Sequence, residues 1–227
     1  MYNKQIVNVI MPAYNEEATI YDVVVRVLKQ KSVDRLIIVN DGSKDKTSEQ
    51  IRRAIAKDDR ALLIECKTNN GKGSAVILGI KEVKSGIIII QDADKEYYPE
   101  DYPMLLEKLD GKTPVFGYRM RNERHKYVMG VIAAKVHTIL FNLLYNQSIH
   151  DVNAGYKLFT VDMISANSLS QKGFEIDFEI ATQLAKKGYK IREVPIRYSG
   201  RTFAEGKKIG PKDAINMAIY LISRRIS

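Results

Sequence analysis

The chain has 227 residues, 45% of them hydrophobic, which is enough to bury a sizeable core and gives no reason to expect disorder. Its single cysteine, Cys66, excludes an internal disulfide and suits a reducing cytoplasm, and no apolar run approaches the length of a membrane span. The net charge of +9 is concentrated, with +4 on residues 117–147 and +5 on residues 195–227 while the rest balances, and this points to a polyanionic partner.

The first hundred residues alternate apolar β runs with helical patterns. Strands are predicted at 6–11, 35–40, 61–66 and 87–91, and helices at 16–30, 47–56 and 73–83. Strands alternating with helices predict an α/β fold, a Rossmann-like and mostly parallel sheet flanked by helices. Neither usual phosphate loop is present. Gly71-Lys72-Gly73-Ser74 lacks the upstream glycine of a Walker motif, and no G-x-G-x-x-G follows the first strand, which disfavours a kinase or a nicotinamide dehydrogenase. Beyond residue 100 the pattern predicts a helix from 99 to 109, a strand at 114–118, an apolar helix at 131–145, a strand at 155–160, a helix at 176–187, a strand at 190–198 and an amphipathic C-terminal helix at 213–225. The basic segments interleave with Leu, Ile and Phe more than with stacking aromatics and carry no nucleic-acid-binding signature, so nucleic acid is not an expected partner.

Asp92-Ala93-Asp94 directly follows the buried run Gly86-Ile87-Ile88-Ile89-Ile90-Gln91. Two acids where a strand leaves the sheet edge stand where open α/β sheets bind ligands, and they suit a hard divalent cation that neutralises a substrate's phosphates. A solvated turn or helix cap gives the same pattern. His125, His137 and His150 have no mutual spacing that suits a zinc site and read as surface or helix residues.

Read in order, Met11-Pro12-Ala13-Tyr14-Asn15-Glu16-Glu17, Val39-Asn40-Asp41-Gly42-Ser43 with Asp45 and Thr47, Asn70-Gly71-Lys72-Gly73 and Asp92-Ala93-Asp94 resemble inverting glycosyltransferases of family 2. The second half resembles the polyprenyl-phosphate branch of that family, which includes dolichyl-phosphate mannosyltransferases. The stretches that carry this likeness are Gly117-Tyr118-Arg119, residues 151–159, residues 173–179, Val194-Pro195-Ile196 and the segment from Arg201 to Lys208.

The resemblance implies a GT-A-type fold and a metal-dependent hexosyltransferase using Mg²⁺ or Mn²⁺. The donor would be GDP-mannose, a UDP-hexose or a UDP-N-acetylhexosamine. The acceptor would be a dolichyl or undecaprenyl phosphate. It places Pro12, Ala13, Tyr14, Glu16, Asn40, Asp41, Lys72 and Asp92 at the donor nucleotide, and Asp92, Asp94 and Glu96 at the metal. Arg119 and Lys126 would hold the acceptor phosphate, and Arg201, Lys207 and Lys208 would lie in a lid over the pyrophosphate. Asp94, Arg119 and Arg201 are the expected catalytic residues. Asp151, Asp177 and Glu179 match family acids and are each either a base or a structural anchor.

A lipid phosphate monoester is already anionic near neutral pH, so the chemistry requires charge neutralisation more than an acid or base. Residues 1–210 are expected to form the catalytic domain, and 211–227 a basic amphipathic helix resting on the cytoplasmic face of a membrane as a peripheral contact. The sequence specifies no oligomeric state. One rival reading is a family 2 enzyme acting on a glycan hydroxyl, which would need Asp177 or Asp151 as base. Another is a silent sugar-nucleotide-binding or scaffold protein.

Overall fold

A computed structural model describes residue 2 and residues 5–120, 128–201 and 210–226. The chain begins with β1 (Val7–Ala13), α1 (Ile20–Leu28), β2 (Arg35–Asn40), α2 (Thr47–Ile55), β3 (Ala61–Glu65), α3 (Lys72–Lys81) and β4 (Ile87–Ile90). It continues with α4 (Tyr102–Lys108), β5 (Val115–Arg119), α5 (Val128–Tyr145), β6 (Lys157–Thr160), α6 (Ile176–Lys186), β7 (Arg192–Ile196) and α7 (Pro211–Ile226).

The seven strands form one sheet in the order β3-β2-β1-β4-β6-β5-β7. β1 pairs in parallel with both β2 and β4, so the chain runs outward through β2 and β3 and then returns to the other side of β1. That reversal opens a crevice at the carboxyl ends of β1 and β4. β6 is antiparallel to both β4 and β5, and β7 is parallel to β5, so the sheet is mixed in its second half.

The isoleucine run is explained by a sheet buried on both faces. Successive side chains point to opposite sides, so Ile88 and Ile90 enter one core with Ile10, Ile37 and Phe159, and Ile87 and Ile89 enter the other with Val9, Met11 and Leu158. The helices α3, α5, α6 and α7 cover the first face, where Met217, Tyr220 and Leu221 tie α7 into the core, and α1 and α4 contribute to the second.

One boundary differs in an instructive way. The helix predicted from residue 16 begins at Ile20. Asn15 adopts a left-handed φ of 49°, and three consecutive amides are held from outside: Asn15 N–H donates to Ser43 Oγ (2.9 Å), Glu16 N–H to Thr47 Oγ1 (2.8 Å) and Glu17 N–H to Asp45 Oδ2 (3.2 Å). The loop after β2 therefore latches the loop after β1, and residues 15–17 build the crevice rather than a helix.

Candidate active site at the carboxyl ends of the parallel strands

A cavity of about 1210 Å³ opens at this crevice, and every described candidate residue borders it except Asn40 and Glu179. Those two make local contacts within the fold. Asn40 Oδ1 accepts from Ser43 N–H (3.2 Å) to close the turn after β2, and Glu179 accepts from Ser170 Oγ and from the Ser170 and Gln171 amides, all at 2.9 Å, to anchor the segment before α6. Lys126, Lys207 and Lys208 lie outside the described residues.

The first layer is a set of loops tied by carboxylates. Asp41, at the end of β2, accepts from Asn70 N–H (3.0 Å) and Gly71 N–H (2.7 Å) and so fixes the turn that starts α3. Gly71 has φ 95°, and a Cβ there would meet Lys172 O at 2.3 Å, so only glycine suits the turn. That turn delivers Lys72 into the site.

The Lys72 ammonium lies between Asp92 Oδ1 (2.8 Å) and Asp177 Oδ2 (2.9 Å). Burial opposes its charge, but the two carboxylates outweigh burial and hold it protonated well above the usual lysine range. Asp177 also faces the ammonium of Lys157 at 3.7 Å. Lys157 is wholly buried, donates to the Val152 and Ala154 carbonyls and lies 5.1 Å from the Phe116 ring centroid; burial lowers its pKa. Sequence reading passed over Lys157. Its one signal is a charge inside the apolar run Tyr156-Lys157-Leu158-Phe159. Asp92 fits against the next segment because residue 155 is glycine: a Cβ there would meet Asp92 Oδ2 at 2.6 Å.

Asp94 and Glu96 follow Asp92 along the same strand exit. Asp94 bonds the Arg201 guanidinium, which also reaches Glu16 Oε2 (3.2 Å), and Glu96 accepts from the Tyr198 hydroxyl (2.9 Å) and the Arg201 amide (2.7 Å). Burial and the neighbouring charges of Glu96 and Asp92 push the Asp94 carboxyl up to about 7. Four acids, Glu16, Asp92, Asp94 and Glu96, thus face two cations, Lys72 and Arg201. With all four acids ionised the excess is two negative charges on hard oxygens, and a divalent cation, which would favour the ionised form of Asp94, fits that electrostatic deficit. Among the described residues no three carboxylate, thiol or imidazole side chains converge into a complete cage. Glu96, expected as a third ligand, accepts from Tyr198 and the Arg201 amide, just as Asp92 is engaged by Lys72 and Asp94 by Arg201, so the donor set fits a cation that takes oxygens from this group and completes its shell from substrate oxygens and water.

Towards α5 the lining changes. Arg119, at the end of β5, makes a two-pronged pair with Asp151 (Nε to Oδ2 2.6 Å, Nη2 to Oδ1 2.9 Å) and lies 5.0 Å from the Tyr198 ring centroid. Burial alone would raise the Asp151 carboxyl, but the Arg119 charge and hydrogen bonds outweigh it and the pKa falls below the usual range. His137, read from sequence as a surface or helix residue, is buried between elements: Nδ1 is 2.9 Å from Asn153 Oδ1 and Nε2 is 2.8 Å from Ala214 O, which joins α5 to α7. Val131, Ala134, Phe174, Phe178, Ile215 and Met217 continue the cavity as an apolar passage between α5, α6 and α7.

Residues 8–166 match the family described as glycosyl transferase family 2. The chain is 30% identical over 235 residues to a dolichyl-phosphate beta-glucosyltransferase of Trichomonas vaginalis, covering 95% of this chain and 71% of that protein. It is 24% identical over 224 residues to an undecaprenyl-phosphate 4-deoxy-4-formamido-L-arabinose transferase of Edwardsiella ictaluri, covering 96% of this chain and 67% of that protein. Its fold is similar to that of glucosyl-3-phosphoglycerate synthase from Mycobacterium tuberculosis crystallised with Mg²⁺ and uridine diphosphate, with a TM-score of 0.74, 18% identity, and 98% of this chain and 80% of that chain covered. The sheet is thus of the GT-A type, and the chain belongs to glycosyltransferase family 2, with polyprenyl-phosphate glycosyltransferases among its relatives.

Proposed function

We propose that this protein transfers one sugar from a nucleoside diphosphate sugar to a polyprenyl phosphate, with inversion, at the cytoplasmic face of a membrane. The observation that carries this reading is the continuity of the cavity. It joins an acid cluster suited to a metal-bound diphosphate to an apolar passage between α5, α6 and α7, with Arg119 at the junction. The donor is GDP-mannose, a UDP-hexose or a UDP-N-acetylhexosamine, and the acceptor a dolichyl or undecaprenyl phosphate.

Pro12, Ala13, Tyr14 and Glu16, with Asp41 and Lys72, border the donor end. Asp92 and Asp94 would hold Mg²⁺ or Mn²⁺, which when bound offsets charge on the departing nucleoside diphosphate. Lys72 adds a fixed positive charge beside Asp92. Arg119 receives the acceptor phosphate, and Asp151 holds its guanidinium in a set plane. The acceptor oxygen is already anionic, so no side chain need remove a proton.

The pairing of the two candidate bases supports this acceptor over a glycan hydroxyl. Asp151 is engaged by Arg119 and Asp177 by Lys72, and each has its pKa lowered by those partners against the effect of burial. A carboxylate so stabilised is a weak proton acceptor.

Membrane contact is supported by two exposed apolar stripes. Ile132, Val136, Ile139 and Leu143 recur at helical spacing along α5, Leu143 being 79% exposed, and Ile215, Ile219 and Ile222 along α7, which ends in Arg224 and Arg225. Among the described residues no helix is long and apolar enough to cross a membrane, so these faces would lie in the interface with the basic end on anionic headgroups. The test is to incubate purified protein with Mn²⁺, a panel of UDP- and GDP-sugars and a polyprenyl phosphate, and to weigh the lipid product. A lipid heavier by one glycosyl unit is the expected result. Donor turnover that leaves every lipid unchanged contradicts the reading.

A further inference from the structure

The two cations of the acid cluster are held in different ways. Lys72 has a partner on each side, and the outer one, Asp177 of α6, faces the buried Lys157. Its ammonium cannot leave Asp92 without also giving up a buried acid. Arg201, among the described residues, pairs only with acids of the cluster itself. Its guanidinium contacts Asp94, Glu16 and, at 3.7 Å, Glu96, and all three stand at the donor end of the cavity. Among the described residues its buried Nε finds no hydrogen-bond partner, the Glu96 carboxylate standing 3.7 Å away. A guanidinium with one donor left orphaned is incompletely satisfied, and such a group gains when a better-matched anion arrives.

Its position conflicts with the cation that Asp94 would bind. A guanidinium nitrogen in contact with Asp94 Oδ2 and a divalent ion on the same carboxylate would be two positive centres within a few ångströms, inside a site largely closed to water. Repulsion at that range in a partly buried site is of the same order as the attraction each has for the acid.

We propose that Arg201 is a resident counter-ion of the acid cluster: it leaves Asp94 when a divalent cation binds there, and the released guanidinium takes the donor diphosphate as its new partner. This rests on the reading of Asp92 and Asp94 as the metal end of the site. Metal bound alone must separate Arg201 from Asp94 and offer nothing in return. Metal bound with a nucleoside diphosphate exchanges an imperfect set of contacts for a two-pronged pair with phosphate oxygens. The two ligands therefore bind cooperatively, and by linkage each tightens the other by the same factor.

The experiment is a titration of the full chain with Mn²⁺, read by electron paramagnetic resonance of the free ion, alone and with saturating UDP or GDP. It compares wild type with Arg201→Gln and Arg201→Lys. In wild type the nucleotide should tighten Mn²⁺ by about tenfold or more, within the usual range of coupling between sites. Arg201→Gln, which removes the competing charge, should bind Mn²⁺ alone several-fold more tightly than wild type and gain less than wild type from either nucleotide, the remainder coming from phosphate oxygens on the ion itself. Arg201→Lys, which keeps a charge but not the fork, should fall between them. Thermal unfolding of each variant establishes that it is folded, and should Arg201→Gln not fold, a folded Arg201→Lys with wild-type Mn²⁺ affinity and wild-type coupling overturns the proposal. Equal or weaker Mn²⁺ binding by folded Arg201→Gln, or no coupling in wild type, overturns the counter-ion role and leaves the transferase reading intact. Absence of Mn²⁺ binding in every arm overturns both.

Discussion

The two ends of the cavity are built on opposite principles. At the proposed donor end most polar groups have partners within the protein, Asp41 in backbone amides, Asp92 in Lys72, Asp94 in Arg201, and the loops in Ser43, Asp45 and Thr47, while the acids still outnumber the cations. At the proposed acceptor end one ion pair, Arg119 with Asp151, stands beside an apolar passage, and the helices around it leave large aliphatic side chains uncovered. The difference teaches what each end has to recognise. A polar ligand of fixed shape rewards a preorganised set of dipoles and charges, whereas a long aliphatic chain needs only surface from which water is excluded.

The strongest way to break the comparison is to disturb the internal pairing. Asp177→Ala leaves Lys72 and Lys157 with one acid fewer in a buried site, and removing one partner of a buried pair costs about 3–5 kcal/mol. Urea unfolding should reveal that loss. A variant of normal stability that has lost activity would instead make Asp177 a base, and the hydroxyl-acceptor reading would gain.

Asp94→Asn separates chemistry from folding at the same end. It should lower kcat/KM by about 10²–10³, the usual consequence of removing one group that stabilises transition-state charge. The melting temperature should hold or rise, because Asp94 is crowded by Glu96 and Asp92. Retention of wild-type kinetics in chelator would remove the metal from the account.

At the acceptor end, Asp151 contributes through its charge. Its folded pKa lies below its unfolded value, so the stability it adds is present above the unfolded pKa, near 4, and is lost as pH falls through the folded one. Asp151→Asn should therefore be less stable than wild type at neutral pH and lose less on acidification. Parallel acid limbs for the two proteins would count against the pairing.

The smallest effect on stability is expected on the helix faces. Replacing Ile139, Leu143 and Ile219 together with serine should change folding by about 0.5 kcal/mol or less per site, since all three are exposed. Recovery on vesicles containing anionic lipid should fall clearly. Undiminished recovery would show that these stripes do not meet the bilayer.

The same division governs what the sequence reveals. β1 to β4 and their helices follow from apolar runs and turns, and Asp92 with Asp94 can be seated from local pattern alone. The start of α1 cannot, because Asn15, Glu16 and Glu17 are held by side chains about 30 residues away rather than by their own helix. Beyond β4 the ladder is set by tertiary pairing: the four residues of β6 enter antiparallel between β4 and β5, and no local feature dictates that direction. The partners of Lys72 are equally non-local. Its bond to Asp177 spans 105 positions, so the sequence offers a lysine between two glycines that looks free to reach phosphate, and folding commits it to two acids.

In the proposed reaction the acceptor's own phosphate oxygen attacks, with no base supplied by the protein. Transfer to a polyprenyl phosphate and to the polyprenol of the same length, measured side by side with Mn²⁺ and the preferred donor, tests it most directly. Product from the phosphate alone, insensitive to pH above the phosphate's second ionisation, is the predicted result. Comparable glycosylation of the polyprenol would mean that a protein carboxylate removes a proton, and would contradict the account.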